Sequence, residues 1–333
     1  MTVAIPTFGA RPRYLAEAIE SVLGQTMGDI EVFVSNDGPD GETSDLVGSF
    51  VDPRLEYLRQ PIPTLHANLN HCLSLGSAPF LAICQDDDFW LPHNLERLVE
   101  TMDRHPEVGL AHAAMRVIDQ DGYVLHEWKG PRELANDTVE PGAIFIRRSM
   151  ASVNRVNMSS ALIRREILRN DRFQTADDTL CDTGLWMRLA RRGDVAFLAE
   201  PLTALRAHAD TASVREGIND ELRRPTLHEI RLTQHVKKRF LAEIGYEGAE
   251  LEELRALAQR WGQRQLLNIV VETTSPARSP VATLRGLREA VRIEPSLLGR
   301  LRTWRVFLAS LVGSRGRRVA RRLLRPPRPT AAG

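Results

Sequence analysis

Cysteine is scarce: Cys72, Cys84 and Cys181 are the only three in 333 residues, an odd number with no two closely spaced. That pattern leaves no disulfide framework, argues against a zinc centre and fits a reducing compartment. Long apolar runs are missing as well. The chain opens Met1-Thr2-Val3-Ala4 with no basic segment leading into an apolar one, so no secretory leader is expected. Near the other end, the stretch Val306 to Val312 is far short of the ~20 residues a spanning helix needs. No fixed-period repeat is visible. Acidic residues vanish after Glu294, and ten arginines follow between Arg300 and Arg328. The rest of the chain sets 34 Lys and Arg against 43 Asp and Glu, so an acidic body carries a basic tail. The tail is therefore expected to have its own anionic partner, whereas the body offers no electrostatic case for nucleic acid.

What is present is ordinary for a folded chain: 43% hydrophobic and 26% charged residues, enough to bury a sizeable core. The length suits one large domain with an appendage. Over the first ~115 residues, short apolar runs alternate with helical periodicity. Val3–Pro6, Ile30–Ser35, Leu55–Leu58, Pro79–Cys84 and Val108–Met115 read as strands. Arg13–Gly24, Asp45–Phe50, Asn68–Leu75 and His93–His105 read as helices. Such alternation predicts an α/β fold, a mostly parallel sheet with helices on its faces. Further on, Asp119–Gly122 reads as a turn, Asp182–Arg192 as a helix, and Ala196–Leu198 and Leu202–Leu205 as two short strands. A boundary near Val214 is expected, dividing residues 1–214 from a helical region, 215–333, with helices over Leu227–Ile244, Leu251–Val271 and Val281–Val291.

In open sheets of this kind ligands gather at the carboxyl ends of the strands. Two such ends carry carboxylates here: Ile30–Ser35 leads to Asp37, and Pro79–Cys84 leads to Asp86-Asp87-Asp88. Three consecutive aspartates repel one another by ~1 to 4 kcal/mol per close pair at effective dielectrics of 80 to 20. A hard divalent cation such as Mg²⁺ removes that penalty, and it needs only one or two protein carboxylates when phosphates supply the remaining oxygens. The plainer alternative is a solvated acidic loop ahead of the His93 helix. Trp90-Leu91-Pro92 follows at once and would anchor that loop against the body.

These segments resemble a known family. Val3–Phe8, Ala18–Thr26 and Ile30–Gly41 are similar to the start of the family 2 glycosyltransferases, and Phe80–Pro92 resembles their strand followed by the metal-binding DXD segment. The resemblance covers about residues 2–213 and is strongest over the first ~100. It implies a GT-A type nucleotide-binding domain and an inverting transfer from a nucleotide-sugar donor to a hydroxyl of a saccharide or lipid-linked acceptor, with Mg²⁺ or Mn²⁺ as cofactor. By the same resemblance Pro6, Thr7 and Phe8 would line the nucleotide pocket, Asp37 would meet the base, and Asn70 and Asp86 would contact the donor. Asp87 and Asp88 would hold the metal. Gln85 stands where many members have Asp, and Leu69 where many have Arg. Asp182, just before Trp186, would be the catalytic base, with Asp177 and Asp178 as rivals and helix capping as its plainer role. Arg206 would reach the diphosphate and His208 would complete the metal shell. A cytoplasmic enzyme, peripheral on the inner face of the membrane through its basic tail, is the expected setting.

Two questions stay open at this stage. Arg147, Arg148 and Arg155 would either face an anionic acceptor or form a solvated basic face. A sugar nucleotidyltransferase would share the sheet and metal aspartate, but the Pro6–Arg11 loop lacks its glycine-rich phosphate cradle. A non-catalytic domain binding membrane or nucleic acid through the tail is the remaining alternative.

Overall fold

A computed structural model describes residues 1–9, 11–130, 134–207, 226–273 and 280–299. The expected boundary near Val214, His208 and the arginine-rich tail lie outside the described residues.

The first strand, β1 (Thr2–Thr7), is buried along nearly its whole length, as a strand covered on both faces should be. It pairs in parallel with β2 (Glu31–Asn36) on one side and β4 (Phe80–Ile83) on the other, and β3 (Leu55–Arg59) extends the sheet beyond β2. Three helices connect these strands: α1 (Pro12–Leu23), α2 (Glu42–Gly48) and α3 (Leu65–Ser74). In α1, Pro12 occupies the first turn, where its missing N–H leaves no bond unmade, and Leu15, Ala18, Ile19 and Val22 form the buried stripe. α2 starts three residues earlier than its apolar pattern suggested, because its first turn, Glu42-Thr43-Ser44, is polar and carries no apolar signal although Thr43 is buried.

Beyond β4 the chain adds β5 (Phe89–Trp90), α4 (Asn94–Arg104), β6 (Val108–Ile118), β7 (Val124–Trp128), β8 (Thr138–Glu140), α5 (Gly142–Met150), β9 (Ala161–Arg164), α6 (Arg165–Leu168), α7 (Cys181–Leu189) and β10 (Asp194–Arg206). The sheet runs β3-β2-β1-β4-β9-β6-β10-β5, with β7 attached to β6 and β8 to β10. β10 merges the two short strands expected at 196–198 and 202–205. Its ladder to β6 shifts register on both sides of Pro201, which has no N–H to give it. The apolar pattern breaks at that bulge, and a sequence reader sees two strands where the backbone makes one.

Two apolar layers cover the sheet. One joins α1 and α4 to it through residues such as Ile19, Val34, Leu98 and Leu162. The other joins α3, α5 and α7, and it continues into α8 (Leu227–Glu243) and α9 (Gly248–Thr273) through Leu232, Val236, Phe240 and Leu254. A further helix, α10 (Pro280–Ile293), follows. α8 and α9 thus share a core with the sheet, while α10 packs in a separate cluster with them through Leu287 and Ala290.

Lys237 of α8 is fully buried in that second layer. Its Nζ donates to the carbonyls of Met150 (3.1 Å) and Ser152 (2.6 Å), at the end of α5, and lies over the Trp261 ring. Burial pushes its pKa well down.

Candidate active site

Strand order reverses at β1, which has β2 on one side and β4 on the other, and this is where an open sheet leaves a crevice at its carboxyl edge. Thr7 ends β1 there. Its hydroxyl donates to Asp86 Oδ2 at 2.5 Å and accepts from the Gly9 amide at 2.9 Å, so the first loop is tied to the acidic one. Pro6 sits opposite Ser35 in the ladder. Phe8 is 54% exposed at the mouth of the crevice. A side chain at Gly38 would collide with the Phe8 carbonyl, its Cβ falling 1.8 Å from that oxygen, so only glycine lets the two loops meet.

Asp37 is buried behind this contact. Burial raises its pKa, against the opposing pull of an Asn68 hydrogen bond and the Arg59 charge. The Asn68 amide donates to Asp37 Oδ1 (3.0 Å) and to the Ser35 (2.9 Å) and Thr7 (3.3 Å) carbonyls, while its oxygen accepts from the Ser35 hydroxyl at 2.6 Å. The residue expected near the donor was Asn70. The structure turns it elsewhere: its amide accepts from the Phe173 backbone N–H (2.8 Å) and donates to the Phe173 carbonyl (3.0 Å). Residues two apart on a helix point to opposite sides, and Asn68 is the one that faces the sheet.

The three aspartates have separate surroundings. Asp86 and Asp87 are half-buried. Asp88 is buried, and both its oxygens are engaged, by the Ser159 hydroxyl at 2.5 Å and the Arg206 amide at 3.0 Å. Its pKa is pushed well up by burial first and by the neighbouring Asp87 and Asp86 charges, with the Ser159 and Arg206 bonds opposing. Asp88 therefore anchors the loop, in place of the metal-ligand role expected of it. Arg206 also differs from expectation. Its guanidinium donates to the Asp87 carbonyl at 3.0 Å and to the Asp119 and Gln120 carbonyls at 3.3 and 3.1 Å, pairs with Glu17, and stacks on Tyr14. It braces the acidic loop from beneath.

A divalent cation fits the chemistry of this loop. Asp86 and Asp87 offer hard oxygen donors at a strand end, and negative potential persists there, since the three aspartates add to the burial that pushes the Cys84 thiol well up. Among the described residues no group of three His, Cys, Asp or Glu forms a complete cation site. Any ion held here would draw further oxygens from a ligand.

Asp182 opens α7 and is buried, 8% exposed. Burial raises its carboxyl to about 6, against hydrogen bonds from Thr183, Asn154 and Trp186. Asn154 Nδ2 donates to one oxygen at 2.6 Å and the Thr183 amide to the other at 2.6 Å. Asp182 does not cap the helix: the capping position is Leu180, with no side-chain bond. The rivals are placed otherwise. Asp177 is buried against Arg239 at 3.0 Å, and Asp178 is exposed.

One segment joins the two acidic groups. Asn154 meets Asp182 and Ser159 meets Asp88, five residues of chain that span no more than about 18 Å. Trp186 Nε1 donates to the Val156 carbonyl (3.2 Å) and Trp90 Nε1 to that of Ser159 (2.6 Å), pinning both ends. Of the three arginines in and before this segment, Arg147 pairs with Glu253, and Arg148 (2.7 Å) and the buried Arg155 (2.9 Å) pair with Glu140. Asn68, Asn154 and Ser159 were missed in the sequence, where no aspartate stands within ten residues of any of them.

The family model described as glycosyl transferase family 2 matches residues 2–166. Residues 2–166, just under half of the chain, are thus similar to glycosyl transferase family 2. The family 2 match covers β1 to β9 and the acidic loop, and stops short of Asp182. An uncharacterized protein of Mycobacterium tuberculosis is 30% identical over 207 residues, covering 59% of this chain and 56% of its own length. The chain thus spans little more than half of that relative. An uncharacterized glycosyltransferase of Nostoc is 26% identical over 264 residues, 74% of this chain and 77% of the relative. Two solved structures share the fold. S. aureus TarS with UDP-GlcNAc aligns over 97% of this chain and 89% of its own, with TM-score 0.60 and 12% identity. The Pyrobaculum calidifontis mannosyltransferase PcManGT with GDP-Man and Mn²⁺ aligns over 96% and 85%, with TM-score 0.55 and 17% identity. Both are GT-A glycosyltransferase structures, and the mixed α/β sheet flanked by helices matches them. Among the described residues no helix is long and apolar enough to cross a membrane.

Proposed function

We propose that the protein is a glycosyltransferase that moves a sugar from a nucleotide-sugar donor to an acceptor hydroxyl with inversion at the anomeric carbon. The family 2 similarity and the donors held by the two structural relatives support the reaction class. The observation that carries the mechanism is the pairing of a clustered acidic loop at a strand end with a solitary buried carboxylate raised to about 6, joined by one short segment.

The nucleoside rests between the Pro6–Phe8 loop and Asp37, with Asn68 holding Asp37 in place. Asp86 and Asp87 would hold Mg²⁺ or Mn²⁺, with the donor diphosphate supplying further oxygens and His208, outside the described residues, as a further candidate ligand. When bound, the ion neutralises charge that develops on the departing nucleoside diphosphate. Asp182 takes the proton of the acceptor hydroxyl as that oxygen bonds to the anomeric carbon. The bond from that carbon to the phosphate oxygen breaks on the opposite side, and the nucleoside diphosphate leaves with the electron pair. With a pKa of about 6, Asp182 is ~90% ionised at pH 7 and still basic enough to accept a proton.

The test is a thermal-shift and nucleotide-release screen of UDP-, GDP-, dTDP- and CDP-sugars with Mg²⁺, Mn²⁺ or EDTA. One donor class should stabilise the protein and be turned over only with metal, and the anomeric configuration of the product should be opposite to that of the donor. Turnover undiminished by EDTA would sink the metal assignment, and retained configuration would sink the single displacement.

A further inference from the structure

We propose that a groove between α8 and α10 binds a phosphate-bearing anion, independently of the donor site. His228, Arg231, His235 and Lys238 lie three and four residues apart on α8, so they form one stripe along it, and all four are exposed. Arg292, from the last turn of α10, closes the groove from the other side. The space is about 340 Å³, within the ~300 to 1,000 Å³ of ordinary small-ligand sites, with Leu232 and Ile293 contributing apolar surface.

The groove concentrates positive charge. Elsewhere several helix arginines meet a glutamate one turn away, as in Arg13–Glu17, Arg97–Glu100, Arg104–Glu100 and Arg255–Glu252. Among the described residues no ion pair to Arg231 or Lys238 is present and no carboxylate lines the groove, although Arg292 pairs with Glu289 at 2.8 Å on its outer side. The buried Asp177 is already paired with Arg239, and the buried Glu294, next to Ile293, accepts from Gln259 and Ser296. Cations gathered in a concavity repel one another, and an anion with several acceptor oxygens relieves that repulsion. Phosphate does so with the geometry that arginine favours. Such a phosphate comes either from a soluble ester or from a lipid headgroup at a membrane surface.

The experiment uses the full chain in EDTA, so that no metal at the acidic loop recruits the probe. Inorganic pyrophosphate is titrated by calorimetry, and phosphatidylcholine vesicles with and without phosphatidylglycerol are tested by co-sedimentation. The variant R231E/K238E is compared with K129E/R255E, which changes net charge equally outside the groove; both must show the wild-type melting curve. Each basic residue at an anionic surface contributes roughly fivefold in affinity, so the groove variant should lose about thirtyfold or more. Saturable pyrophosphate binding lost only in the groove variant assigns a soluble phosphate. Phosphatidylglycerol-dependent binding lost only in that variant assigns a lipid phosphate. Equal losses in both variants, no loss in either, or no binding of either probe overturns the proposal.

Discussion

The two sides of the crevice hold their carboxylates in opposite ways. On the strand side three aspartates share one loop, where Thr7 and Ser159 donate to them and Arg206 braces the backbone beneath. On the helix side Asp182 stands alone, with a side-chain amide and a backbone N–H on its two oxygens. Asp86 and Asp87, only half-buried, keep hard oxygens at the strand end, which suits a cation and the phosphates it carries. Isolation in a dry setting shifts a single pKa toward neutrality, which suits proton transfer. In the proposed mechanism the same residue type serves binding at the acidic loop and acid–base chemistry at Asp182, and the surroundings decide which.

Substitutions should separate the two sides. The largest effect is expected from Asp182→Asn, which keeps the shape and removes the base. The rate constant kcat should fall by ~10² to 10⁴, while metal-dependent stabilisation by the donor survives. Lost donor stabilisation in this variant would show that the two sides are not separable. Asp87→Ala should do the reverse, abolishing the metal-dependent thermal shift and lowering kcat/KM by at least the ~10- to 100-fold that loss of an outer-shell metal partner brings. An unchanged metal titration would remove Asp87 from the ligand set.

Asn68→Ala removes a donor from Asp37 and from the Ser35 and Thr7 carbonyls, of which Thr7 keeps the Asp37 N–H, and it should lower stability in urea by ~1 to 3 kcal/mol and weaken nucleotide binding. Asn70→Ala also frees a backbone pair, at Phe173, but it should leave nucleotide affinity unchanged. Equal loss of affinity in both would blur the distinction between the two faces of α3. The smallest effect belongs to Asn154→Ala. The Asn154 bond favours the ionised form of Asp182, so its loss raises that pKa further above its present value of about 6. The base acts ionised, hence activity falls as pH drops through the pKa, and the acid limb of the kcat/KM profile should move to higher pH. The rate at pH 6 should drop by about two- to tenfold while the alkaline plateau is kept. A uniform drop at every pH would instead indicate that Asn154 only holds the segment in place.

The strand side was largely legible in the sequence, because its pieces are local. A buried strand that stops at a carboxylate is visible in a dozen residues, and both Asp37 and the acidic loop were found that way. The helix side was legible only through resemblance. Asp182 precedes an ordinary amphipathic helix, and nothing in its own neighbourhood foretells that Asn154, 28 residues earlier, lies 2.6 Å from its carboxylate. Arg206 shows the limit most plainly. The resemblance assigns it to the diphosphate, yet the fold sets its guanidinium against the backbone carbonyls of Asp87, Asp119 and Gln120, partners that no linear spacing encodes.

By itself the sequence determined the α/β alternation, the strand ends that carry acid and the division of charge between body and tail. Each follows from residues close together in the chain, where periodicity and side-chain chemistry act directly. Tertiary structure alone decided which of three adjacent aspartates is buried, which of two nearby asparagines faces the sheet, and how far the Asp182 carboxyl is raised. Those outcomes depend on dehydration and on partners that arrive from distant segments, and neither exists until the chain has closed on itself.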